Sequence, residues 1–176
     1  MVVANGLLHK DGSMALHPAE LFRCVLPPDA LATELLGEQL GQNLRPGDVL
    51  ALVGEVGAGK TTLTRGVARG MKVFLPDAVA SPTYLLVVEH PGPIRLLHAD
   101  AYLPTKLHSF LRDGGMEYLC SEDVIAVVEW ADRIAEELPS RTLWLHMTTT
   151  TAGGRAVVMS CCEPVAFPWA AGLSAG

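Results

Sequence analysis

The stretch VLALVGEVGAGKTTLTRGVARG occupies residues 49–70 and reads in three parts. Val49 to Val53 form a continuous apolar run, the pattern of a strand buried on both faces of a parallel sheet. Gly54-Glu55-Val56-Gly57-Ala58-Gly59-Lys60-Thr61 fits G-x-x-x-x-G-K-[ST], the phosphate-binding loop pattern. Residues from about 60 to Gly70 then continue as a helix. Glycines let such a loop turn tightly without Cβ clashes. The backbone N–H groups of about Gly57 to Thr62 can then point at phosphate oxygens, at a helix N-terminus whose dipole favours anions. Lys60 adds a positive charge for the β- and γ-phosphates, and the Thr61 hydroxyl can ligate Mg²⁺. The bland reading of the same residues is a glycine-rich turn with a surface lysine.

A phosphate loop needs an acid on the metal side, and two candidates end apolar strands: Asp100 after IRLLHA and Glu129 after DVIAVV. Strand ends beside the loop are where a doubly wound sheet places ligand groups. Glu129 reads as the acid that holds Mg²⁺, directly or through water. Asp100 could position the attacking water or complete the metal shell. Ser81-Pro82-Thr83 lies between the loop helix and the next strand, where nucleotide switches place a hydroxyl that senses the γ-phosphate; a plain proline turn is the alternative. His98 shares a strand face with Asp100 and reads as a packed histidine. Trp130 is either core or a neighbour of the nucleotide.

The remaining chain supplies an α/β frame. LFRCVL (21–26) reads as a strand, and Asp29 as the N-cap of a helix carrying Leu31, Leu35, Leu36 and Leu40. RPGD (45–48) is a turn. YLLVVEH (84–90) and IRLLHA (94–99) flank PGP as an antiparallel hairpin. Residues 104–122 hold one or two short helices broken at Gly114 and Gly115, and ADRIAEEL (131–138) reads as helical. RTLWLHMTTTT (141–151) and RAVVMSCCE (155–163) flank AGG as a second hairpin. The expectation is a three-layer α/β fold of the P-loop NTPase kind. Its central sheet is mixed and mostly parallel, with edge hairpins. Residues 1–20 are expected to form a loose arm, 21–163 the domain, and 164–176 a disordered tail.

Composition agrees with that frame and excludes others. The 176 residues are 49% hydrophobic, 18% charged and 6% aromatic, so the chain is not of a disordered class and its core is mainly aliphatic. The formal charge of −6 argues against a protein that coats nucleic acid. No apolar run approaches a membrane span, and the first residues lack the pattern of a secretory signal. The four cysteines form no Cys-x-x-Cys pair, and the histidines show no zinc-ligand spacing. A cytoplasmic protein with reduced thiols is expected.

GEVGAGKTTLTRG, SPTYLLVVE, HADAYL and VVEWADRI occur in that order and at suitable spacing. Together they resemble the TsaE (YjeE) family of bacterial P-loop ATPases over roughly residues 21–160. The upstream helix PDALATELLGEQL and the late Gly153-Gly154-Arg155 fit the same pattern. The resemblance implies an ATPase needed for threonylcarbamoyladenosine formation in tRNA, with ATP and Mg²⁺ bound. It also implies that the chain acts on the TsaD–TsaB protein complex and meets tRNA only indirectly. TsaD would carry out carbamoyl transfer, and ATP hydrolysis here would reset the complex. Carried over by motif, Glu55, Val56, Gly57, Ala58, Gly59, Lys60, Thr61 and Thr62 would hold phosphate. Thr61 and Glu129 would hold Mg²⁺. Asp100 would support hydrolysis with Lys60, and Thr83 would be the switch-like hydroxyl. Thr33 and Gly154 or Arg155 match positions on the nucleotide's other side. Two departures stand out. The family often has D-L-Y-R where this chain has Asp100-Ala101-Tyr102-Leu103, and Asp-Leu where it has Glu55-Val56.

Competing readings fare less well. A GTPase needs N/T-K-x-D, and Thr105-Lys106-Leu107-His108 lacks the aspartate. A small-molecule kinase usually has an arginine-rich lid, and no such cluster appears. A nucleotide-gated binding module with little turnover remains compatible with the loop.

Overall fold

A computed structural model describes residues 7–8, 14–15 and 18–174. In the arm, Leu7–Leu8 pairs antiparallel with Met14–Ala15, and most of the segment expected to be loose lies outside the described residues. The main sheet has seven strands. They are β1 (Ala19–Leu26), β2 (Val49–Val53), β3 (Val87–His90), β4 (Arg95–Asp100), β5 (Val124–Glu129), β6 (Leu143–Thr149) and β7 (Arg155–Cys161). Their spatial order is β1-β7-β6-β2-β5-β4-β3. The central four, β6-β2-β5-β4, run parallel. The flanking pairs β3–β4, β6–β7 and β1–β7 are antiparallel. This is the expected mixed sheet with edge hairpins.

Alternation along the buried strands feeds two cores. Leu50 and Leu52 of β2 and Ile125 and Val127 of β5 face one side, covered by α1 (Ala30–Asn43) and α2 (Lys60–Gly70). Val49, Ala51, Val124, Ala126 and Val128 face the other, covered by residues of α3 (Pro104–Phe110), α4 (Met116–Leu119) and the turn after β5. Three layers result, as expected. Asp29 caps α1, its carboxylate accepting from the Leu31 N–H at 2.9 Å.

Helices α1 and α2 touch backbone to backbone. A Cβ on Gly37 would lie 2.3 Å from the Leu63 carbonyl oxygen, and one on Gly66 would lie 2.1 Å from that of Glu34. Glycine at these crossings lets α2 lie directly under α1, and Glu34 then bridges Arg65 and Arg69 of α2. The leucine periodicity of α1 carries no sign of this contact, because the contact is made by residues without side chains.

Several local expectations change. Strand β1 begins at Ala19, two residues earlier than expected and inside the segment assigned to the arm. The segment expected as a strand from Tyr84 forms one only from Val87. Tyr84 and Leu85 are exposed, and Leu86 has φ 67°. The Leu85 and Leu86 N–H groups instead turn back onto the Pro82 carbonyl, as the preceding Ser-Pro-Thr turn requires. Residues 131–138 form a short 3₁₀ helix, Ala131–Ile134, and turns rather than a full helix. Of the segment expected as a tail, the described residues 164–174 carry two 3₁₀ turns, Pro164–Ala166 and Pro168–Gly172. Phe167 is 1% exposed within the α1–α2 core, and Gln39 of α1 exchanges hydrogen bonds with the Ser174 backbone. One buried aromatic ring outweighs the polar and small residues around it.

Candidate functional site

At the C-terminal ends of the parallel strands the chain breaks from sheet to helix through Gly54–Gly59. Gly59 is the N-cap of α2 with φ 103°, a left-handed conformation that side chains resist. Helix geometry leaves the N–H groups of Lys60, Thr61 and Thr62 without intrahelical acceptors, so they are available to an anion. The Lys60 ammonium donates to the Gly54 carbonyl at 2.6 Å and to that of Glu55 at 3.0 Å. It also sits 3.8 Å from the Trp130 ring centroid. Burial lowers its pKa, and the carboxylates of Glu129, Asp100 and Asp132 pull the other way.

Strand register brings the two acids to this loop. Asp100 and Glu129 are direct partners on β4 and β5, and Glu129 pairs with Leu52, two residues before Gly54. The Thr61 hydroxyl donates to Glu129 Oε1 at 2.8 Å. The same oxygen is 2.9 Å from His98 Nε2. Asp100 Oδ2 accepts from Ser81 at 2.7 Å and from Thr83 at 2.8 Å, and Oδ1 accepts from the Tyr102 N–H at 2.7 Å. Both carboxylates are buried, Asp100 at 0% and Glu129 at 3% exposed.

These groups surround one cavity of about 400 Å³, within the usual range for small-molecule sites. Of the residues singled out in the sequence, Val56, Gly57, Gly59, Lys60, Thr61, Thr62, Thr83, Glu129 and Arg155 line it. Five others do not line it. Glu55 contributes its carbonyl to Lys60, and Ala58 is buried in the core. Thr33 packs near Gly59, where an added Cβ would meet its Cγ2 and the Arg155 Nε each at 3.5 Å. Gly154 is pressed against the Leu26 carbonyl, 2.4 Å from where a Cβ would sit. Asp100 lies beneath Ser81 and Thr83. Arg155 Nε is buried without a hydrogen-bond partner while its Nη1 donates to the Gly153 carbonyl at 2.7 Å.

Four residues of the site were not assigned a role from sequence. Ser81 lines the cavity and shares Asp100 with Thr83; its hydroxyl, two positions before that of Thr83, was the available signal. Trp130, left open between core and nucleotide, lines the cavity with φ 58°. Tyr102 packs edge-on to it at 5.3 Å, and Arg133 lies over both rings. Nothing in linear spacing announces that stack, which depends on the tight turn after β5.

Comparison with known proteins identifies the family. The profile of the family described as threonylcarbamoyl adenosine biosynthesis protein TsaE matches residues 28–157. A Treponema pallidum protein named tRNA threonylcarbamoyladenosine biosynthesis protein TsaE is 32% identical over 138 residues, covering 78% of this chain and 99% of that one. The Streptomyces coelicolor protein of the same name is 42% identical over 116 residues, covering 64% and 76%. The crystal structure of Bacillus subtilis YdiB superposes with a TM-score of 0.65 at 26% identity, covering 86% of this chain and 91% of that one. The matched span contains the Gly54–Thr61 loop, both strand-end acids and the Ser81–Thr83 turn, and the chain belongs to the TsaE family of tRNA threonylcarbamoyladenosine biosynthesis proteins.

Proposed function

We propose that this chain is a Mg²⁺-dependent ATPase of the cytoplasm that acts on the TsaD–TsaB complex during tRNA N6-threonylcarbamoyladenosine formation. The carrying observation is the convergence on one cavity of an ammonium (Lys60), a helix N-terminus and a hydroxyl–carboxylate pair (Thr61 with Glu129). That donor set fits a magnesium–triphosphate. The N–H groups and Lys60 would bind phosphate oxygens, while Thr61 and Glu129 would hold the cation, which usually takes few protein ligands beside phosphate and water. Bound magnesium would neutralise charge developing on the transferred phosphoryl group. Arg155, which lines the cavity, would add a guanidinium donor.

Asp100 acts here through the hydroxyls of Ser81 and Thr83, which it holds at the cavity wall. Its carboxylate is 0% exposed, accepts from three donors and does not itself line the cavity. This favours slow basal turnover with partner-dependent acceleration. It also keeps a second reading in play, a nucleotide-gated binding module that hardly hydrolyses. Calorimetry with ATP and Mg²⁺, followed by phosphate release with and without TsaD–TsaB, tests both. Binding with release that rises on adding the complex is expected. Binding without release under either condition selects the module. Folded protein that ignores adenine nucleotides, magnesium and the complex supplied together overturns the proposal.

A further inference from the structure

His98 is a polar residue in an apolar place. It lies on β4 between Leu96 and Asp100, facing the α2 side with Ile125 and Val127 of β5, and it is 0% exposed. Burying an imidazole there costs free energy unless its nitrogens find partners. Nε2 has one, Glu129 Oε1 at 2.9 Å, and Nδ1 is buried without any. A leucine would fill the same wall with neither the desolvation penalty nor the orphaned nitrogen. What the histidine supplies is a fixed hydrogen bond to the carboxylate that also receives Thr61.

Register explains why His98 reaches that atom. His98 pairs with Val127, so Glu129 is its diagonal neighbour on the same sheet face. A carboxylate acceptor requires Nε2 to carry the proton of this bond. His90 packs beside it, ring centroids 6.1 Å apart. The ring is thus clamped by strands on both sides and holds its donor in one direction.

We propose that His98 is a positioning residue for the cation site, holding Glu129 in the orientation that meets Thr61 before a magnesium–nucleotide arrives. This rests on the nucleotide reading above and adds that cation affinity is set from behind the carboxylate. Partners of that kind typically change metal affinity by about 10–100-fold when removed.

The test separates cation from nucleotide. A fluorescent methylanthraniloyl-ATP is titrated in EDTA, and Mg²⁺ is then titrated at fixed nucleotide, for the wild type, His98→Leu and His98→Gln. Thermal melts report folding. His98→Leu is expected to raise the Mg²⁺ half-saturation about 10–100-fold, with Mg²⁺-free nucleotide affinity within about twofold. His98→Gln, whose amide N–H can reach the Nε2 position, should recover part of the loss. Wild-type magnesium behaviour in His98→Leu overturns the proposal, as does an equal loss of nucleotide affinity in EDTA. If His98→Leu does not fold, His98→Gln and His98→Asn decide: Gln better than Asn supports the proposal, and equal behaviour overturns it. Ring-nitrogen NMR of the full chain checks the geometry without any ligand. An Nε2–H tautomer perturbed by Glu129→Gln supports it, and an Nδ1–H tautomer overturns it. A wild type that binds no nucleotide overturns the underlying reading as well, while the NMR result still judges the hydrogen bond.

Discussion

Asp100 and Glu129 are opposite partners at the ends of adjacent parallel strands, yet they serve different loops. Glu129 takes the Thr61 hydroxyl from the helix side, and Asp100 takes Ser81 and Thr83 from the turn before β3. The two acids therefore make separate contacts, and their duties are expected to be separable. Asp100→Asn removes the negative charge and, with its oxygen kept on the Tyr102 N–H, puts an amide donor at Oδ2, so the Ser81 and Thr83 hydroxyls must turn round to accept. Nucleotide affinity should stay within a few-fold by calorimetry. Single-turnover phosphate release should fall about 10²-fold or more. Affinity and turnover falling together would show that the two duties are one.

Lys60→Ala should weaken ATP binding about 10–150-fold, the equivalent of a charge-assisted hydrogen bond of roughly 1.5–3 kcal/mol. The same ammonium ties the Gly54 and Glu55 carbonyls together. The variant should therefore also melt at a lower temperature without nucleotide, as scanning calorimetry would read.

Gly37→Ala inserts a methyl group into the backbone contact with Leu63. Overpacking of this kind costs about 1–3 kcal/mol, measured as a lower urea midpoint. Because α2 carries Lys60 and Thr61, nucleotide affinity should fall with it.

Phe167→Ala tests whether the C-terminal turns belong to the core. Phe167 is fully buried and packs edge-on against Trp169. Removing such a ring costs about 3–5 kcal/mol, visible as a large loss of thermal stability. A change too small to measure would return residues 164–172 to the status of a tail.

His90 gives a pH dependence. Burial, reinforced by the neighbouring His98, pushes its pKa below the ordinary histidine value. The unfolded chain therefore takes up a proton more readily than the folded one. Stability contributed by neutral His90 is complete above the unfolded pKa of about 6.5 and is lost as pH falls through the depressed folded value. Melting temperature should drop as pH falls below about 6.5, and His90→Phe should flatten that slope.

The Gly54–Thr61 loop pattern, the succession of buried strands along the chain and the two strand-end acids were legible in residues 49–70, 94–100 and 123–129. These features are local: apolar runs, glycine spacing and a lysine beside a hydroxyl residue carry their own signal. The sequence assigned Glu129 to the cation beside Thr61, but whether Glu129 or Asp100 physically meets that hydroxyl is a choice made by the tertiary structure. That choice depends on β4, β5 and β2 lying side by side in one register, a long-range property. The seating of Phe167, the glycine contact between α1 and α2, and the His98–Glu129 bond likewise join positions far apart in the chain. Only packing, which is indifferent to distance along the chain, could bring them together.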